Sequence, residues 1–120
     1  MNIDTVITQS CERIPGLQRA ALVSLPDGFL LGATRGAKLL DLEPLVRSAA
    51  ACVGRGDGQM AEHVFAMRDQ FVVIQTGRTN PRLALIATTT IEPNIAFVLA
   101  TSRAAMTEVE AAIDLADWEL

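Results

Sequence analysis

The stretch that most limits what this chain can become is residues 71–87, Phe-Val-Val-Ile-Gln-Thr-Gly-Arg-Thr-Asn-Pro-Arg-Leu-Ala-Leu-Ile-Ala. Two runs of β-branched and apolar residues, 71–76 and 83–87, flank a Gly77/Asn80/Pro81 cluster. The cluster predicts a hairpin, with positive φ at the glycine and a fixed turn angle at the proline. Neither run alternates apolar with polar residues, so both faces of these strands must be covered. In an antiparallel pair that calls for helices above and below the sheet.

The rest of the chain supplies them. Ile3, Val6, Ile7, Ser10, Cys11 and Ile14 recur at helical spacing, with Asp4, Gln9, Glu12 and Arg13 on the other side. That helix is expected to stop at Ile14-Pro15-Gly16, because proline disfavours the α region for its predecessor and glycine permits a reversal. Residues 17–25 and 29–34 read as strands joined by a Pro26-Asp27-Gly28 turn, and Gly32 inside the second signals a bulge or a close neighbour. Asp41 caps a helix over 41–53, with Pro44 in its first turn where a missing N–H costs nothing. Residues 60–68 read as a third strand, and a last helix is expected from around Pro93 to about 114. Ile95, Val98, Leu99, Ser102, Met106, Val109 and Ile113 form its apolar face. Ala96, Ala100 and Ala104 make a lane on its flank suited to admitting the first helix. The expected order is α-β-β-α-β-β-β-α, an α+β sandwich in one domain over residues 1–120. A five-stranded antiparallel sheet carries one helix on one face and two on the other.

Two features point to self-association. If the strands meander in sequence order, the third lies at an edge, and that edge carries Glu62, Val64, Phe65 and Met67 with no proline or lysine to discourage pairing. The 41–53 helix has a side made of Pro44, Ser48 and Ala51 in which only Arg47 is charged, where a solvated face normally carries several charges. A two-fold pairing of third strands sets two such helices side by side. The predicted dimer interface is therefore Pro44, Arg47, Ser48, Ala51, Glu62, Val64, Phe65 and Met67.

Composition excludes other partners. The net charge is −4, and the single lysine, Lys38, and nine arginines are scattered, leaving no strip to neutralise a phosphate backbone; nucleic acid is not an expected partner. No run of about 18 apolar residues exists, so membrane insertion is not expected. Met1-Asn2-Ile3-Asp4 lacks the layout of a secretory signal, which makes the expected location cytoplasmic. Cys11 and Cys52 sit alone in apolar helical patterns and read as buried reduced thiols.

No constellation carries chemistry. His63 has Glu62 beside it, but neighbours on a strand point to opposite faces, which rules out an acid/base pair. No His/Cys/Asp/Glu set has a metal-ligand spacing. Gly54-Arg55-Gly56-Asp57-Gly58 runs from helix to strand, the wrong direction for cradling a phosphate at a helix N-terminus, and reads as a connector. Trp118 lies in an acidic tail after the last helix and is expected to pack back on the domain or stay disordered. The chain is read as neither an enzyme nor a cofactor protein.

The order of elements carries a resemblance. Arg13-Ile14-Pro15-Gly16, then Ala20-Ala21-Leu22-Val23-Ser24 and Asp27-Gly28-Phe29-Leu30-Leu31, is similar to the opening of the Roadblock/dynein light chain family. Residues 83–89 running through Pro93-Asn94-Ile95-Ala96-Phe97-Val98-Leu99 into an alanine-rich helix resemble its close. Asn94-Ile95-Ala96 stands where that family prefers an Asn-Leu-Gly type step. The resemblance implies a homodimer whose third strands join two sheets into one, with paired helices forming a platform. In the family's bacterial gliding-motility branch, such dimers bind a small Ras-like GTPase and promote GTP hydrolysis without inserting a catalytic residue. The expected function is thus a homodimeric module that docks and regulates a small Ras-like GTPase. A structural adaptor for a motor or signalling complex, and a small-ligand sensor with a pocket between sheet and helices, are the alternatives.

Overall fold

A computed structural model describes residues 2–24, 28–34, 43, 44, 47, 51 and 62–115 of the chain. Its elements are α1 (Ile3–Cys11), β1 (Leu17–Ser24), β2 (Phe29–Ala33), β3 (Glu62–Ala66), β4 (Phe71–Thr76), β5 (Leu83–Thr89) and α2 (Ile95–Leu115). Glu43, Pro44, Arg47 and Ala51, between β2 and β3, are helical, which completes the expected order. All strand pairings are antiparallel, and the sheet order is β2-β1-β5-β4-β3.

The two apolar runs of the 71–87 stretch form the interior of this sheet. Every residue of β5 and all of β4 after Phe71 is buried. One face, carrying Ala20, Leu22, Val73, Leu83, Leu85 and Ala87, packs in a single core with Ile7, Cys11 and Ile14 of the α1 region and Val98, Ala105 and Val109 of α2. The other face, carrying Ala21, Val23, Val72, Ile74, Ala84 and Ile86, is just as deeply buried. Fully burying side chains of this size contributes about 1.5–3 kcal/mol each, and that sum drives the collapse.

The helices begin and end for local reasons. The side chain of Asn2 caps α1 by accepting from Asp4 N–H, and Asn94 Oδ1 accepts from Ala96 N–H at the start of α2. Helix α1 stops at Cys11, three residues short of the expected Ile14, because Ile14 N–H bonds tightly back to Cys11 C=O before the proline is reached. Gly16 then reverses the chain at φ +70°, where an added Cβ would sit 2.5 Å from Thr90 Oγ1. Gly28 does the same at φ +75° and donates to Ser24 C=O across the first hairpin.

Several expectations are corrected. The third strand ends at Ala66 because the chain turns at Arg68 and Asp69, with Met67 N–H bonded to Gln70 C=O. The fifth, by contrast, ends at Thr89 as the 83–89 stretch implied, with Thr88 and Thr89 both fully buried. The Ala96, Ala100 and Ala104 lane is exposed. Helix α1 instead meets the side of α2 that carries Ala105, with Arg13 reaching Glu108 at 3.6 Å. Gly77 does not have positive φ; its lack of a side chain serves a different end, given below. The Pro26-Asp27 half of the first turn, Asp41, Ser48, Cys52, the 54–58 connector and Trp118 lie outside the described residues.

Candidate functional site

The two edges of the sheet are built differently. At the β2 edge, pairing with β1 slips between Leu22 and Val23, leaving Leu31 as a bulge beside Gly32. Helix α1 lies so close here that a Cβ on Gly32 would come within 2.8 Å of Ile3 and Ile7. Asp4 Oδ1 accepts a hydrogen bond from Ala33 N–H at 2.9 Å. A bulge and a carboxylate on an edge amide both discourage another strand from adding there.

Among the described residues the β3 edge has neither device. Its five residues pair with β4 in unbroken register, from Glu62 opposite Gln75 to Ala66 opposite Phe71. Because Met67 N–H points at β4, the alternation of an antiparallel ladder turns the backbone groups of His63 and Phe65 toward β4. Those of Glu62, Val64 and Ala66 then point away from the sheet. The side chains divide as well. Glu62 and Val64 lie on the α2 face with Gln75 and Val73, and His63 and Phe65 on the other with Ile74 and Val72. Phe65 is 38% and Met67 51% exposed.

Glu62 is held from within the chain. Its carboxylate accepts from Arg103 Nη2 at 2.9 and 3.0 Å and from Gln75 Nε2 at 2.5 Å, and that amide also donates to Ser102 Oγ at 3.1 Å. The charge on β3 is therefore neutralised by α2, and the strand is fastened to the helix above it. Of the helical half of the predicted interface, Pro44, Arg47 and Ala51 are exposed, and Arg47 is bound to Glu43 at 2.5 Å one turn earlier. His63, the chain's one histidine, and Glu62 point to opposite faces and do not pair. The imidazole Nε2 is buried without a hydrogen-bond partner among the described residues.

One polar cluster went unread in the sequence. Glu110 sits on the buried side of α2, and its carboxylate accepts from the N–H groups of Arg78, Thr79 and Asn80 at 2.7, 3.1 and 3.0 Å and from Thr79 Oγ1 at 2.8 Å. These donors line the β4–β5 turn, so the carboxylate latches the hairpin to the helix. Gly77 makes room: a Cβ there would lie 2.6 Å from Glu110 Oε2 and strike Asn80 C=O. Burial alone would push the Glu110 carboxyl up, but the four hydrogen bonds outweigh it and hold it below the usual glutamate range. The readable signal was an acidic residue between Val109 and Ile113 on an apolar face, which demands a partner.

The remaining chemistry is muted. Burial, with Glu108 nearby, pushes the Cys11 thiol up to about 12, so it stays protonated. A cavity of about 260 Å³ opens between β4 and α2 beside Gln75, Arg103 and Glu110. Arg103 is already paired with Glu62, and Glu110 with the turn. Among the described residues no group of three metal-ligating side chains occurs, and no helix is long and apolar enough to cross a membrane.

Neither a family sequence model nor a curated protein sequence matches the chain. Solved structures do. Myxococcus xanthus MglB superposes with a TM-score of 0.75 at 13% identity, over 94% of this chain and 95% of that one. The chain has the Roadblock/LC7 fold. A Roadblock/LC7 domain from Streptomyces avermitilis superposes with a TM-score of 0.70 at 17% identity over 97% and 98% of the two chains. The gliding protein MglB of Thermus thermophilus gives 0.73 at 14% identity over 94% and 89%. The overlaps run over nearly the whole length of both chains, and the sheet order of this chain puts β3 at one edge.

Proposed function

We propose that this Roadblock domain works as a homodimer joined along β3 and that the dimer docks a small Ras-like GTPase and regulates its nucleotide state. The observation that carries the reading is the β3 edge: unbulged, carrying exposed Phe65 with exposed Met67 just past its end, and with its one charge already neutralised. Such an edge is a template for a second strand. A standard interface takes about 800 Å² from each partner, an area that one strand plus one helix face can supply. The shared fold with MglB supports the GTPase as partner.

In this reading the domain contributes no catalytic group. It acts by binding one conformation of the GTPase more tightly than the other, and it shifts the population by no more than that difference in affinity. The test has two steps. Light scattering at micromolar concentration should give twice the chain mass; a stable monomer refutes the dimer. The purified protein is then mixed with a Ras-like GTPase encoded beside it, and phosphate release is followed. A faster release supports regulation, binding without a change in rate turns the reading to a structural adaptor, and no binding refutes the GTPase as partner.

A further inference from the structure

The cavity of about 260 Å³ between β4 and α2 is a little smaller than the roughly 300–1,000 Å³ of pockets that hold drug-sized ligands, so what fits it is a small molecule. Three charged side chains line it: Arg78, Arg103 and Glu110. The Glu110 carboxylate spends both oxygens on the four donors of the β4–β5 turn. Arg103 gives only Nη2 to Glu62, and its Nη1 and Nε have no partner among the described residues. Arg78 gives its backbone N–H to Glu110, while its guanidinium, on an exposed residue, has no partner among the described residues. The charged donors left to a guest are therefore guanidinium N–H groups from two elements, the turn and the helix, and the acid beside them is already saturated. An oxyanion answers that set, and a cation does not. Part of the remaining wall, Ala100, Ala104 and Met106, is apolar. Gln75 adds no free donor, because its amide nitrogen already serves Glu62 and Ser102.

We propose that this cavity binds a small organic carboxylate with an apolar body, its carboxylate held by Arg78 and the free edge of Arg103 and its body laid against Ala100, Ala104 and Met106. A guanidinium meets a carboxylate in a planar fork, and two guanidinium groups on one guest fix its direction as well as its charge. The apolar wall sets an organic acid apart from inorganic phosphate, which brings the charge but no apolar surface to bury. Every lining group comes from one chain, so the site needs neither the dimer nor a GTPase and goes beyond the function proposed above.

The test is a titration of the isotope-labelled protein with phenylacetate, followed by amide chemical shifts, with phenylacetamide as the neutral isostere and inorganic phosphate as the bare anion. Phenylacetate should shift the amides of Arg78, Ala100, Ala104 and Thr107, all at the cavity wall, with a dissociation constant of about 1 mM or below, an ordinary value for a ligand of about ten non-hydrogen atoms. The amide and the phosphate should each bind at least about tenfold more weakly. Arg78→Ala keeps the backbone N–H that Glu110 accepts and should weaken phenylacetate at least about tenfold. Ala104→Leu, at an exposed wall position, should fill the cavity and abolish binding. Arg82→Ala, on the same turn but outside the lining, should leave the affinity unchanged. Circular dichroism confirms that each variant is folded. The site is overturned by the absence of any shift at about twentyfold above 1 mM, by unchanged affinity in folded Arg78→Ala, or by an equal fall in Arg82→Ala, which makes the effect one of net charge. Equal binding of phenylacetamide or of phosphate overturns the ligand class.

Discussion

Replacing Glu110 with glutamine tests whether the latch between α2 and the β4–β5 turn holds the domain together. The amide keeps one oxygen. Placed where Oε2 now accepts from Thr79 and Asn80, it retains those bonds, but its NH2 group then faces the Arg78 N–H that Oε1 accepts at 2.7 Å. One hydrogen bond is lost outright, and the others lose the charge that makes a carboxylate bond worth about 1.5–3 kcal/mol instead of about 1. Arg78, Thr79 and Asn80 are exposed, so water takes up part of the loss, leaving a net cost of about 2–3 kcal/mol. For a chain of this length the unfolding entropy near 60 °C is about 0.25 kcal/mol/K, which makes the shift in Tm about 8–12 °C. Because the folded-state pKa of Glu110 is lowered, its contribution is complete above the unfolded glutamate pKa of about 4.3 and is lost as pH falls through the folded value. Differential scanning calorimetry at fixed protein concentration should therefore show the gap between wild type and variant narrowing below about pH 4.3, since a protonated glutamate resembles glutamine. A variant within about 2 °C of wild type at neutral pH, or a gap that persists undiminished in acid, refutes the latch.

Gly77→Ala should disturb the same latch, because its Cβ would lie 2.6 Å from Glu110 Oε2. Combined with Glu110→Gln, it should cost less than the sum of the single changes in a double-mutant cycle. Phe65→Asp should leave far-UV circular dichroism intact, since Phe65 is 38% exposed, while weakening self-association more than about 100-fold, because the two-fold axis repeats the loss of a buried ring. Light scattering over a concentration series reads that change, and an undiminished dimer contradicts the proposed seam. Cys11, fully buried and pushed up to about 12, should stay unmodified by a thiol reagent in the native protein and react once it is unfolded, as peptide mass mapping will report.

Why some of this was legible and some not follows from the range of each signal. The central strands and their turn could be read directly, because β-branched runs and a Gly/Asn/Pro cluster act over a few residues. The 83–89 stretch that carried the resemblance runs to the end of the fifth strand, with Thr88 and Thr89 fully buried. The alanine lane misled: spacing of four shows that Ala96, Ala100 and Ala104 share a side, not which neighbour that side meets. Gly77 was assigned to the turn for its freedom of φ, whereas its missing side chain clears the way for a carboxylate 33 positions later. Contacts of that range leave only an anomaly in the sequence, here an acid on an apolar face.

The treatment of charge at the open edge bears most directly on assembly. A lone glutamate on β3 would oppose burial in a dimer, since an unpaired carboxylate removed from water costs several kcal/mol. Glu62 is instead neutralised by Arg103 of its own chain, in a pair whose side chains are 27% and 51% exposed. As an exposed pair it adds little to the stability of the single subunit. Its larger effect is to let β3 approach another strand without presenting a bare charge, while tying the strand to α2 so that its outward backbone groups stay aligned. At the other edge Asp4 does the reverse, occupying the Ala33 amide that a visiting strand would need. One carboxylate closes an edge by accepting from it, and the other leaves an edge open by being bound elsewhere. In the proposed dimer, that asymmetry favours pairing at β3 over β2.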